Sequence, residues 1–198
     1  LQMIEEHVRS RRVLYMINRL PTFRNMPPAL LDEILHTNGV EGTLYERCAA
    51  AGRQSATTRG RCECRQIYDL DALESAAARS YVIDADLSAV AGREIRLSRS
   101  QFLRQLAYLR ERVRGEHYSM VVYPFSRLET AVPPCNMIVQ DDSLAAAWDT
   151  SRYPCRLYSE EMPIISGFYE YAETLWESIP AVCKSESCVQ RRMDTLLA

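Results

Sequence analysis

The sequence predicts an α+β domain, with an N-terminal helical segment followed by a small sheet covered by helices. Three observations carry this. The first half spaces its apolar residues at intervals of three and four, as one helical face does. The second half holds short apolar runs of strand length: Tyr118 to Tyr123, Asn136 to Gln140 and Leu144 to Trp148. Two amphipathic segments then close the chain, each opened by a helix-start signal.

In order, Met3, Ile4, Val8, Val13, Leu14, Met16, Ile17 and Leu20 mark one face of a helix that Pro21 ends. The chain opens inside that pattern without an N-cap, so a domain is expected ahead of Leu1. Pro27-Pro28 starts the next helix, with Leu30, Leu31, Ile34 and Leu35 as its apolar face and Gly39 after its end. Thr43-Leu44-Tyr45-Glu46 has the capping-box pattern and predicts a helix from about Leu44 to Gln54. The polar stretch Ser55 to Gly60 marks a boundary, which divides the chain into a helical segment 1–58 and a sensor-like α/β domain 59–198.

Arg61 to Tyr68 reads as extended, and Asp69 or Asp71 caps a short helix through Arg79. Tyr81-Val82-Ile83 and the alternating Arg93 to Leu97 predict short strands. Ser98 caps a helix with Phe102, Leu103, Leu106, Leu109 and Val113 on one face and Gly115 beyond it. Tyr118 to Tyr123 predicts a central strand stopped by Pro124. Asp141-Asp142-Ser143 is turn chemistry, so Asn136 to Trp148 predicts a hairpin, with a further strand at Arg156-Leu157-Tyr158. Pro163 fits the first turn of a helix that Pro180 stops, and Ser187-Cys188-Val189-Gln190 has the capping-box pattern for the last helix.

The chain has 198 residues and is long enough to bury roughly two-thirds of its unfolded surface without a metal or disulfide. Arg, Asp or Glu interrupts every apolar run well short of the ~20 residues a membrane helix needs, and the N-terminus has no signal-peptide pattern. A cytoplasmic location and no membrane partner are expected. The basic residues are 23 arginines and one lysine, Lys184, and the net charge is −2. Arg93 to Arg114 holds seven arginines, while Asp141 to Ser178 holds eight acids. Pairing of these two segments within the fold, or a basic surface for nucleic acid, would each account for the segregation. Seven irregularly spaced cysteines, among which Cys62-x-Cys64 shares a strand face and the lone Cys183-x₄-Cys188 pair straddles a helix start, predict free thiols and no metal site, and no cofactor is implied.

The segment Leu30 to Cys48 has the helix, glycine turn and capped helix of a helix-turn-helix, in which Thr43, Tyr45 and Arg47 would meet DNA. Leu35 stands where close helix approach favours alanine, and Glu46 opposes phosphate, so an ordinary αα-hairpin is the competing reading. His7, His36 and His117 come with no nucleophile motif, and no catalytic residue is assigned. Aromatic residues gather in the second half, as the walls of a ligand pocket do. Tyr123, Trp148 and Tyr171, with Arg127 and Asn136 as polar members, are the expected ligand-binding set.

The run Tyr118 to Pro124, the hairpin Asn136-Met-Ile-Val-Gln-Asp-Asp and the ending Phe168-Tyr-Glu-Tyr-Ala-Glu-Thr-Leu-Trp-Glu-Ser-Ile-Pro resemble C-terminal effector domains of bacterial helix-turn-helix transcription regulators. The likeness covers roughly 80 residues and carries no binding residue across. It implies a small-molecule or protein effector, homo-oligomerisation, and DNA contact through a domain outside this chain.

Overall fold

A computed structural model describes residues 13–58, 63–113, 118–130, 132, 135–140, 144–149 and 156–198. The α+β class is what it shows. Six strands form one sheet in the order β5-β2-β1-β6-β7-β8. They are β1 (Leu14–Asn18), β2 (Cys64–Asp69), β5 (Tyr118–Tyr123), β6 (Cys135–Gln140), β7 (Leu144–Asp149) and β8 (Arg156–Ser159). β1, β2 and β5 run parallel, whereas β6, β7 and β8 continue from β1 as an antiparallel meander.

β1 corrects the expected helical start. Leu14, Tyr15, Met16 and Ile17 are all buried, because β1 is flanked by strands on both edges and by packing on both faces. A strand buried on both faces has a continuous apolar run, and such a run fits a helical template as readily as a strand. Residues 1–12 of the expected helix lie outside the described residues. Within 13–20 the chain forms the strand Leu14–Asn18, not the expected helix.

Alternation along the strands divides the core in two. Leu14, Met16, Tyr68, Met120, Val122 and Ile138 face α3 (Leu70–Ala77), α5 (Arg99–Arg112) and α7 (Glu186–Leu197). Tyr15, Ile17, Ile67, Val121, Met137 and Val139 face α6 (Met162–Ser178) and the 3-10 turn Ala181–Lys184. The helices expected to cover the sheet therefore lie on opposite faces of it.

A third, smaller core joins α1 (Pro28–Thr37), α2 (Gly42–Thr58), α4 (Ala85–Ala91) and the antiparallel pair β3 (Tyr81–Ile83) and β4 (Arg96–Ser98). Leu30, Leu31, Ile34, Leu35, Cys48, Leu87 and Ile95 fill it. Gly39 and Gly42 both take positive φ, 61° and 62°, so the α1–α2 turn uses two left-handed positions that side chains resist. α2 begins at Gly42 and continues to Thr58, so Thr43 lies inside its first turn and the polar stretch from Ser55 is still helical. α4 was not expected from the sequence, although Asp84 caps it by accepting from Leu87 N at 2.9 Å. The last helix is capped by Ser185, not Ser187, through Cys188 N at 3.3 Å. The hairpin turn 141–143 lies outside the described residues.

Candidate functional site

In open sheets with parallel strands, ligands bind beyond the carboxyl ends of those strands, where loops rather than ladder partners satisfy the backbone. Here β1, the parallel strand that borders the antiparallel β6, ends on Asn18, and the chain then crosses from the sheet to the smaller core through residues 19–26. Asn18 continues the inward face of Leu14 and Met16 and is 2 % exposed.

The crossing segment is locked from above by α5. Its inner face carries Phe102, Leu106 and Leu109, but also Gln101 and Gln105, one helical turn apart and both buried. Gln105 Nε2 donates to the Thr22 carbonyl at 2.8 Å, and that carbonyl also accepts from Asn25 N at 2.8 Å. Gln101 completes the Ser98 capping box and donates to Glu33 Oε1 at 3.0 Å. Arg104 holds the other Glu33 oxygen at 2.6 Å, and these two partners hold its carboxyl below the usual range.

Around the Thr22 carbonyl, hydrogen-bonding capacity is left over. Gln105 Oε1 and Asn25 Nδ2 are buried without a partner, one an acceptor and the other a donor. Thr22, Asn25 and Gln105 are at most 6 % exposed, so bulk water does not satisfy them. Farther along the same sheet face, Tyr118 donates to Gln66 Oε1, while Gln66 Nε2 is a further buried orphan. Each unmet group costs about 1–3 kcal/mol, so a molecule supplying one donor and one acceptor here recovers that energy.

The expected ligand set does not converge on one place. Tyr123 and Tyr171 join the α6-side core as partly buried members. Asn136 is buried on the other face, and its Oδ1 accepts from Arg19 N at 3.2 Å, extending the β1–β6 ladder. Trp148 pairs with Asn136 in register on β7, and its side chain lies outside the described residues. Arg127 is exposed at the end of the turn Phe125–Arg127. Tyr123 and Asn136 share the carboxyl edge but stand three strand spacings apart, roughly 14 Å. Tyr123 is instead engaged by Arg192, whose guanidinium lies 5.5 Å from the ring centre and donates to the Val122 carbonyl.

The Asp69 carboxylate organises the neighbouring loops. Its Oδ1 accepts from Asp71 N at 3.2 Å and Phe125 N at 3.1 Å, while Ser126 donates to Asp71 at 2.6 Å. In the helix-turn-helix-like segment, Tyr45 donates to Asp32 at 3.1 Å and stacks edge-on with His36, so it ties α2 to α1. Thr43 and Arg47 are exposed. His7 and His117 lie outside the described residues.

Among the described residues, the arginines of 93–112 are drawn into the fold by groups outside the acidic segment 141–178. Arg104 pairs with Glu33, Arg110 with Asp194 at 2.7 Å, and Arg96 with Glu94. Arg99 donates to the Ala77 carbonyl at 2.9 Å, Arg93 donates to the Asn38 carbonyl, and Arg112 lies over the Tyr118 ring at 4.3 Å. Cys48, Cys64, Cys183 and Cys188 are buried and in no disulfide, and burial pushes the Cys48 thiol up. Among the described residues no group of three or more His, Cys, Asp or Glu is placed to hold a metal ion. Among them, too, no helix is long and apolar enough to cross a membrane.

No family model matches the chain, and no curated protein or solved structure is similar enough to count as a relative. Asn18, Thr22, Asn25 and Gln105 escaped the sequence reading, which looked for aromatic walls. Their signal was polarity on an apolar face: Gln101 and Gln105 interrupt the inner stripe of α5, and Asn18 closes the run 14–17.

Proposed function

We propose that this chain is a non-catalytic effector-sensing and dimerisation domain of a cytoplasmic bacterial transcription regulator, whose DNA contact belongs to a domain outside it. The single observation behind the sensing part is the buried, unmet donor of Asn25 and acceptor of Gln105, both on residues joined to the Thr22 carbonyl. The ligand class that answers it is a small, uncharged or zwitterionic molecule carrying an amide-like donor and acceptor.

The site lies where the sheet body meets the smaller core, so its occupancy is coupled to their packing. Gln105 belongs to the helix of the larger body, and Asn25 to the segment leading into α1. A ligand bridging them favours the packing in which both amides point inward, and its absence releases that preference. Differential affinity for the two packings is all a population shift requires.

The test is a thermal-shift screen with amino acids, carboxamides, sugars and nucleosides on the wild type and on Gln105→Leu. A true ligand at 100 times its Kd adds about 2.7 kcal/mol, a rise of roughly 5–10 °C for a chain of this size. The leucine variant should lose that rise while keeping its fold. A panel that moves nothing, or a rise kept in full by the variant, sinks the sensing site.

A further inference from the structure

The antiparallel pair β3–β4 has one edge that side chains close and one left bare. Arg99 N donates to the Ser80 carbonyl and Asp84 N to the Ile95 carbonyl, so residues 80, 82 and 84 bond toward β4. The N–H and C=O groups of Tyr81 and Ile83 therefore point away from β4, as those of Arg96 and Ser98 point away from β3. On the β4 side the Asn38 amide stands in for a strand: its Oδ1 accepts from Arg96 N and its Nδ2 donates to the Arg96 carbonyl, both at 2.9 Å. Gln101 Oε1 accepts from Ser98 N at 2.9 Å. On the β3 side, among the described residues, nothing bonds to the outward groups of Tyr81 or Ile83. Both residues are 42 % exposed, so the edge is within reach of another chain.

Such an edge takes an extended segment, whose backbone supplies the hydrogen bonds and whose alternate side chains meet those of the edge. Tyr81 and Ile83 share the exposed face of β3, while Val82 points into the fold. An added strand with apolar residues on that face gains cross-strand contact with an aromatic and a β-branched side chain. Charge decides the rest of its chemistry. Between residues 79 and 99 the exposed ionic residues are Arg79, Arg93, Arg96, Arg99 and Glu94, whereas Asp84 and Asp86 are buried. Arg96 is paired with Glu94 and lies over the Tyr81 ring at 4.6 Å. Arg79 and Arg99 donate to neutral oxygens, the Ser75 hydroxyl at 3.3 Å and the Ala77 carbonyl at 2.9 Å, which leaves their charge uncompensated. A second copy of this chain would bring the same arginines to the seam. An acidic segment meets them with opposite charge.

We propose that β3 is a docking edge for an acidic, extended peptide segment of a partner protein, which adds as a third strand beside Tyr81–Ile83. None of these groups belongs to the Asn25 and Gln105 pair of amides, so the docking edge and the sensing site stand or fall separately. The seam is short, so the dissociation constant for an isolated peptide is on the order of 100 µM.

The test is fluorescence anisotropy of the whole chain with a labelled peptide, Glu-Glu-Val-Thr-Val-Glu-Glu, followed by site-resolved hydrogen exchange of the complex. The expected result is binding, with added protection at the amides of Tyr81 and Ile83 and no change at Val82, which already bonds to β4. The same peptide N-methylated along Val-Thr-Val keeps its charge but cannot donate to the edge, and should bind about tenfold more weakly. Ile83→Pro removes one outward N–H while sparing the ladder through Val82, and should weaken binding to a similar degree. Arg79→Glu combined with Arg99→Glu should reverse the preference toward a peptide with lysines in place of the glutamates, which a merely misfolded variant would not do. No binding of the acidic peptide, equal binding of the N-methylated one, or protection that does not alternate along β3 overturns the assignment. So does full binding by Ile83→Pro with native circular dichroism. Protection of Tyr81 and Ile83 that grows with protein concentration in the absence of peptide would give the edge to a second copy, and overturns it as well.

Discussion

The side-chain amide of Gln105 donates to the carbonyl of Thr22 at 2.8 Å, across 83 residues of sequence, and both residues are buried. That contact fastens the crossing segment after β1 to the helix that roofs it. Its cost is visible in the same side chain, since Oε1 has no partner.

Two substitutions separate the fastening from the orphan. Gln105→Ala removes the bond and leaves a void, and should cost about 2–3 kcal/mol in urea unfolding. Gln105→Leu fills the volume and removes the unmet oxygen, and should lie within about 1 kcal/mol of wild type. If leucine costs as much as alanine, Oε1 has a partner in the purified protein, and native mass spectrometry should then show a retained small molecule.

Asp84 gives a pH-dependent prediction. Burial pushes its carboxyl up to about 7, Asp86 adds to the rise, and the backbone N–H groups of Leu87, Phe23 and Asp86 pull it back. A carboxyl whose folded pKa exceeds its unfolded value binds more protons when folded, so stability falls as pH rises from about 4 to about 7 and stays lower above. The upper bound is on the order of a few kcal/mol. Asp84→Asn keeps an oxygen for the Leu87 cap and cannot ionise. It should therefore melt higher than wild type at pH 8, match it near pH 4, and flatten the profile between. A wild-type melting temperature that rises between pH 5 and 7 in step with an unchanged variant would contradict the assignment.

Where the sequence was legible, one physical signal dominated locally. α5 combined a capping serine with a one-sided apolar stripe, and α6 combined a first-turn proline with a stop at Pro180, so both were readable. β1 was not, because burial on both faces erases the alternation that marks a strand. α4 was missed because seven residues hold too little periodicity to outweigh a loop. The candidate site was harder still. Thr22, with Asn25 bonded to its carbonyl, meets Gln105 only where the chain leaving β1 passes beneath α5, and no spacing along the chain encodes that meeting.

Arg65 makes the clamp between the sheet and α6 testable. Its guanidinium lies 5.6 Å from the ring centres of both Tyr15 and Trp176, and Nη1 donates to the Tyr15 hydroxyl at 2.7 Å. Tyr15 is also edge-on to Trp176 at 6.5 Å. Trp176→Ala should cost about 3–5 kcal/mol, mostly from lost aromatic burial. Arg65→Met keeps an apolar stem and should cost roughly 1–2 kcal/mol through the lost charged hydrogen bond and ring contacts. A double-mutant cycle with Tyr15→Phe should show coupling of about 1 kcal/mol; strictly additive losses would mean that the three side chains do not act together.

The last prediction weighs the nucleic-acid reading of the same chain. DNA affinity grows with arginines free to replace counterions on phosphate, and its logarithm falls with the logarithm of salt in proportion to their number. Arg93, Arg96, Arg99, Arg104, Arg110 and Arg112 all have partners in the fold, and breaking those contacts offsets much of what phosphate contact would gain. At the start of α2 the exposed Arg47 stands beside exposed Glu46 and Glu41, and Tyr45 is engaged by Asp32. The expected affinity for a 30-base-pair duplex is therefore weaker than roughly 100 µM at 150 mM salt, with a salt slope near that of one or two phosphates. Fluorescence anisotropy between 50 and 200 mM salt measures both. Micromolar binding with a steep slope, lost in Arg47→Gln but kept in Arg110→Gln, would reinstate α1 and α2 as a DNA-binding pair. Weak binding indifferent to both variants leaves that role to a separate domain.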